Sequence, residues 1–235
     1  MAKRPIFTPN FSGFPYVGAI DIEFKWHPGF AKSQLQKSIV SLHEAAEKLK
    51  KISPILEISS KSTLRLGVSL SAFNLSLKTQ KGQRMSVECA YQGSKVFENG
   101  GPYHELYPVS SLEAKTDERL KNSGKFLAFN FCGEDFPTEP KTAFYDWLYM
   151  TALYQKKADF VKELEVFQGF SDIVFNPNRS INCQARATAL FVSLSKNGLI
   201  DEKIFNDKDY YLALITGQDE PPPTESHPTQ LTLQF

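Results

Sequence analysis

The chain is poor in cysteine, and what it has follows no pattern: Cys89, Cys132 and Cys183 are odd in number, far apart and never in CxxC spacing. That argues against a disulfide framework and a thiolate metal site and fits a reducing cytoplasm. Histidine is equally sparse, and His27, His43, His104 and His227 form no HxxxH or similar pair. A metal enzyme is therefore not expected, and no cofactor is implied. No apolar run approaches the roughly 18 residues of a membrane span, and the N-terminus MAKRPIFTPNF lacks the apolar stretch of a signal peptide, so neither membrane insertion nor secretion is indicated. An excess of one charge is missing too. With 27 basic and 26 acidic side chains there is no whole-molecule field to gather a polyanion, so a nucleic acid would have to meet a local patch.

What is present is strong local patterning. Leu35, Ile39, Leu42, Ala46 and Leu49 recur at helical spacing and predict an amphipathic helix of about five turns, stopped by Pro54. Residues 55–58 read as a strand, and Ser59-Ser60-Lys61-Ser62 as a polar loop, or alternatively as an anion site. Residues 73–77 and 84–87 predict a hairpin about Lys81-Gly82 that would bring Asn74 close to Glu88. Ser110 and Glu113 form a capping box for a helix running through Leu120 to near Gly124. Residues 126–132 read as a buried strand, 144–153 as a buried helix followed by a shorter one through Phe160 and Leu164, and 172–175 as another strand. Asn176-Pro177-Asn178 is a turn, and residues 181–196 a helix ended by Asn197-Gly198. The prolines and acids after Gln218 read as a disordered tail. With no repeat or linker in view, the expected fold is a single α+β domain, predominantly helical, with a small β-sheet and hairpin.

The chemistry concentrates in SVECAYQGSKVFENGGPY, residues 86–103, where Glu88, Gln92 and Lys95 fall at i, i+4 and i+7. One helical face would carry an acid, an amide and an amine, and an amine held partly out of water can lose its charge and attack an electrophilic carbon. The competing reading is a solvated polar face. Asn99-Gly100-Gly101-Pro102-Tyr103 follows as a rigid turn able to close over a ligand. Asp172 is a second acid or the cap of its own turn, and Cys183 reads as a small buried residue rather than a nucleophile.

Residues 70–95, LSAFNLSLKTQKGQRMSVECAYQGSK, resemble the NADAR superfamily, with its LSNF-type strand and SVEHAYQAxK helix. Ser86, Val87, Glu88, Ala90, Tyr91, Gln92 and Lys95 match position by position, while Cys89 stands where the family has histidine. Residues 111–115 and 181–185 resemble later family helices, although the usual tryptophan-glycine element is replaced by FSDIVFNPNRSINCQAR. With about 65 residues ahead of the motif region, the chain resembles the branch encoded beside DarT-type DNA ADP-ribosyltransferase toxins, where it acts as antitoxin. The resemblance implies a family-specific extension over residues 1–65 packed on a NADAR-like core of 66–216, and a tail of 217–235.

It further implies cleavage of an N-glycosidic bond at ribose C1 of an ADP-ribosyl group on guanine in DNA, with ADP-ribose as product. Lys95 would be the nucleophile and Glu88 the acid-base. Tyr91 and Tyr103 would sandwich a purine, and Gln92, Asn182 and Gln184, with Asn74, Gly100 and Gly101, would contact base or sugar. Trp26, ahead of the helix bearing Lys32, Lys37, Lys48, Lys50 and Lys51, would give a stacking surface beside phosphate contacts, or simply pack in the core. Three alternatives stay open: an inert module binding ADP-ribose or NAD, an N-glycosidase acting on a riboflavin-pathway intermediate, and an antitoxin working by contact with its toxin.

Overall fold

A computed structural model describes residues 1–218 except Phe30, Gln80 and Lys157, and only the backbone of Ala158, Asp159 and Val161. The expected tail lies outside the described residues from position 219 onward. β1 (Ala2–Pro9) and β2 (Val17–Phe24) form an antiparallel hairpin with Ile6 opposite Ile20, an element the sequence reading did not anticipate. Its loop is tied by Asn10, which donates to the carbonyls of Gly13 and Pro15 and accepts from the Ser12 amide. α1 (Lys32–Lys50) lays Leu35, Ile39, Leu42 and Ala46 inward, the last three packing with Ile6, Ile22 and Phe24. Leu49 is 59% exposed, so the apolar stripe ends a turn before the helix does. The helix stops at Lys51, whose left-handed φ of 59° returns its N–H to the Glu47 carbonyl.

β3 (Ile55–Glu57) and α2 (Arg65–Ser69) precede the hairpin of β4 (Ser76–Lys78) and β5 (Arg84–Ser86). The first strand of that hairpin begins three residues later than expected. Asn74 is exposed and donates to the Val68 carbonyl, and Ala72, not Asn74, meets the Glu88 backbone, accepting its N–H at 3.0 Å. α3 (Val87–Gly93) opens on Ser86, whose hydroxyl accepts from the Cys89 amide, and closes at Gly93. There a Cβ would lie 2.6 Å from the Tyr107 ring, so the tight packing of Tyr107 requires glycine. The chain then enters β6 (Lys95–Phe97). The single long helical face expected through Lys95 is therefore broken, because the Ser94 carbonyl accepts from Asn130 and β-pairing takes over.

α4 (Ser111–Thr116) has the expected Ser110 cap on the Glu113 amide, but stops at Asp117. The Asp117 carboxylate accepts from the Arg119 amide at 2.9 Å, and α5 (Arg119–Asn122) starts afresh. β7 (Phe126–Phe131) pairs with β6 on one side and β8 (Glu134–Phe136) on the other. α6 (Ala143–Tyr154) is buried from Ala143 to Leu153, and α7 (Ala158–Leu164) follows. β9 (Gly169–Ser171) ends where a strand was expected to begin, because Asp172 accepts from the Val174 amide at 3.1 Å and turns the chain. α8 (Gln184–Lys196), α9 (Lys203–Asn206) and α10 (Lys208–Thr216) complete the described chain.

The result is a single α+β domain in which helix outweighs strand. The largest sheet has the order β2-β1-β9-β3, with β9 parallel to β3 and antiparallel to β1. Residues from the first quarter of the chain thereby share a sheet with the strand that delivers Asp172. The main core gathers around α6 and α8.

Candidate active site

A cavity of about 1010 Å³ opens between α3, β6, β7 and the segments that follow β3 and β9. Glu88, Tyr91, Gln92, Lys95, Asp172, Asn182 and Gln184 all line it. Although Lys95 leaves the helix, its ammonium still reaches back: Nζ donates to Gln92 Oε1 at 2.7 Å, and Gln92 Nε2 donates to Glu88 Oε1 at 2.9 Å. Nζ also sits 4.7 Å from the centre of the Tyr91 ring. Burial pushes the Lys95 amine down to about 8, outweighing the attraction of Glu88, with nearby Lys115 acting in the same direction as burial.

Tyr91 is held by Phe129 and Tyr145, each 5.3 Å away between ring centres, and its hydroxyl accepts from Asn182 Nδ2 at 2.7 Å. Burial raises this phenol to about 12. Asn182 Oδ1, by contrast, is a buried acceptor without a protein partner. Gln184 has no such freedom. Its Oε1 accepts from the Ala72 amide at 2.7 Å, while Nε2 donates to the Ile58 carbonyl at 2.6 Å and to Asp172 Oδ2 at 3.0 Å. It braces the cavity wall rather than presenting a free group.

The remaining expected site residues do not line this cavity. Asn74 is spent on Val68. Tyr103 packs on Phe97 and its hydroxyl pairs with Ser123, so it is not the second face of a Tyr91 sandwich. Gly100 and Gly101 lie behind Lys95: Gly101 has φ +83° and a Cβ there would come 2.2 Å from the Lys95 carbonyl oxygen. That turn supports the strand bearing Lys95. Trp26 lies against Phe24, with the Arg4 guanidinium 5.6 Å from its ring. Cys183 is buried at the start of α8, its thiol raised well above the usual range by burial.

Sequence reasoning passed over Tyr145, Phe126, Phe129, Phe175, Lys115 and Arg179, all of which line the cavity. The aromatics read as core, and the cations sit on separate segments with no common spacing. Lys115, Lys125, Lys141 and Arg179 form a local basic lining, interspersed with the exposed apolar side chains Phe73, Leu127, Val174 and Ile181. Lys115 Nζ lies 4.0 Å from Glu88 and 5.2 Å from the Phe73 ring centre.

The sequence matches the family of DarT1-associated NADAR antitoxins over residues 2–225. The chain belongs to that family. Membership gives this NADAR protein an antitoxin role, paired functionally with a DarT toxin, and the match extends through the first 65 residues as well as the motif region. A comparison with curated proteins found no match. Among the described residues no helix is long and apolar enough to cross a membrane.

Proposed function

We propose that this NADAR antitoxin is an ADP-ribosyl N-glycosidase that removes ADP-ribose from guanine in DNA. The observation that carries the reading is the Lys95 amine, buried in a large cavity, depressed to about 8 and tied through Gln92 to Glu88. At pH 7 about a tenth of such an amine is uncharged, roughly two orders of magnitude more than for an ordinary lysine. The free amine attacks ribose C1, the electron pair of the C1–N bond departs with the guanine, and Glu88 relays to that base the proton that the alkylated Lys95 nitrogen sheds. Opening of the ribose gives an imine on Lys95, and water adds to it, returning the amine and free ADP-ribose. The Gln92 amide fixes both partners by donating to one and accepting from the other.

The cavity offers what the substrate asks for. The Tyr91, Phe126, Phe129 and Phe175 rings provide flat walls for a purine, Asn182 Oδ1 accepts from a ribose hydroxyl or base N–H, and the basic lining supplies the local patch that a near-neutral protein needs for phosphates. The test is to incubate wild type and Lys95→Ala with an oligonucleotide carrying ADP-ribosylated guanine, with and without borohydride. Release by wild type alone, with a reduced adduct mapped to Lys95, is expected. Equal release by both proteins removes Lys95 from the chemistry, and bound but uncleaved ADP-ribose in both makes the protein a binding module.

A further inference from the structure

Beneath the cavity lies a second carboxyl that the reaction as described does not use. Glu57, at the end of β3, is only 2% exposed. Its Oε1 accepts from the Ser59 hydroxyl at 2.7 Å and from the Ile173 amide at 2.9 Å, and Oε2 is hydrogen-bonded to the Ser171 hydroxyl. Ser171 Oγ is in turn 2.8 Å from His43 Nε2 on α1. Three segments distant in sequence meet in this network, α1, β3 with Ser59, and β9 with Ile173, and two of the contacts to Glu57 flank Asp172, a carboxyl on the cavity wall.

The hydrogen bonds of this chain can run in either direction. With Glu57 ionised, His43 Nε2–H donates to Ser171, whose hydroxyl donates to Glu57. With Glu57 protonated, its own O–H donates to Ser171, and Ser171 donates to the bare Nε2 of the other histidine tautomer. No bond is lost on taking up the proton. We propose that Glu57, Ser171 and His43 form a reversible hydrogen-bond chain that stores one proton on Glu57, and that Glu57 thereby acts as a positioning residue keeping Asp172 the ionised member of the pair. Two buried carboxyls that feel each other's charge do not both ionise cheaply, and burial with the Asp172 charge pushes Glu57 up to about 8, whereas Asp172 rises to about 6.

The other ionisable groups around the pair are Arg4 and Lys115, both coupled to Asp172, and Tyr145, Tyr149 and Cys183, all held in their neutral forms by burial. Resting on the glycosidase reading, an ionised carboxyl on this wall stabilises the positive charge that builds at ribose C1 as the bond to guanine breaks.

The stored proton is measurable without substrate. A carboxyl whose folded pKa is raised stabilises the fold most below its unfolded value, and that contribution is lost as pH rises through the folded one. His43, lowered to about 4, acts with the opposite sign between about 4 and 6.5, Asp172 acts below about 6, and Lys95 opposes the loss only as pH nears 8, so among these groups the fall from pH 6.5 to 8 belongs to Glu57. Urea unfolding of wild type should lose stability across that window, and Glu57→Gln should be flat there. Asp172→Asn and His43→Leu should each move the loss to lower pH, one by removing the neighbouring charge and the other the far end of the chain. Infrared difference spectra at pH 7 should show a protonated-carboxyl stretch that Glu57→Gln abolishes. A wild-type protein flat from pH 6.5 to 8, or a carboxyl stretch unchanged in Glu57→Gln, overturns the proposal. Neither readout depends on ADP-ribose release, so a failure of the glycosidase reading shows separately.

Discussion

The two polar walls of the cavity are built in opposite ways. On one, Glu88, Gln92 and Lys95 lie within eight consecutive residues and are joined by two direct hydrogen bonds. On the other, Asp172 and Gln184, with Glu57 buried beneath them, come from separate segments, and Gln184 bonds to groups as many as 126 positions away. The near wall is set by the local path of α3 into β6. The far wall exists only once β9 has inserted between β1 and β3. Reactivity is thus concentrated in a local motif, while its surroundings depend on the completed fold, and loss of function on the two sides should look different.

The sharpest way to break the comparison is at Lys95. Lys95→Ala and Lys95→Arg should each lower ADP-ribose release by about 10⁴-fold with thermal unfolding little changed, since arginine keeps the charge but not the nucleophile. Glu88→Gln should cost about 10²- to 10³-fold in single-turnover release, again with the fold intact. On the far wall the damage should appear in stability. Gln184→Ala strands the Ala72 amide, the Ile58 carbonyl and Asp172 together, and should destabilise the protein by about 3 kcal/mol in urea titrations. A Gln184→Ala protein that unfolds like wild type would erase the distinction between the walls.

Smaller effects sharpen it. Because attack requires the uncharged amine, kcat/KM should rise about tenfold per pH unit below about 8 and level off above it. Lys115 helps to keep Lys95 uncharged, so Lys115→Met should move that rise to higher pH and lower release at pH 7 about two- to threefold. A profile that does not move would mean that burial alone sets the state of Lys95.

The legibility of the sequence follows the same division. α1, α6 and the cap of α4 were readable because their signals are periodic or local, and Glu88, Gln92 and Lys95 because they fall within one motif. The β1–β2 hairpin carried no turn signal that was recognised, and the boundaries of β4, β9 and α8 were displaced where side chains such as Asp172 turn the backbone. Tyr103 and Gly101 were placed at the ligand because glycine and tyrosine serve packing and binding with the same chemistry. The Lys95 carbonyl against Gly101, and Phe97 and Ser123 against Tyr103, show which of these they do. Glu57 and His43 gave no signal at all, since a lone acid in a short strand and a lone histidine on a helix acquire meaning only when Ser171 comes between them.

The passage from α3 to β6 spans a single residue, Ser94, and Lys95 is the first residue of a three-residue strand paired opposite Phe129. Strand side chains alternate between faces, so adding or removing one residue between Gly93 and Lys95 would turn the lysine to the other side of its sheet while preserving every residue type in the motif. The site is therefore guarded by chain length as much as by composition: in this stretch a silent-looking insertion is as damaging as loss of the lysine itself.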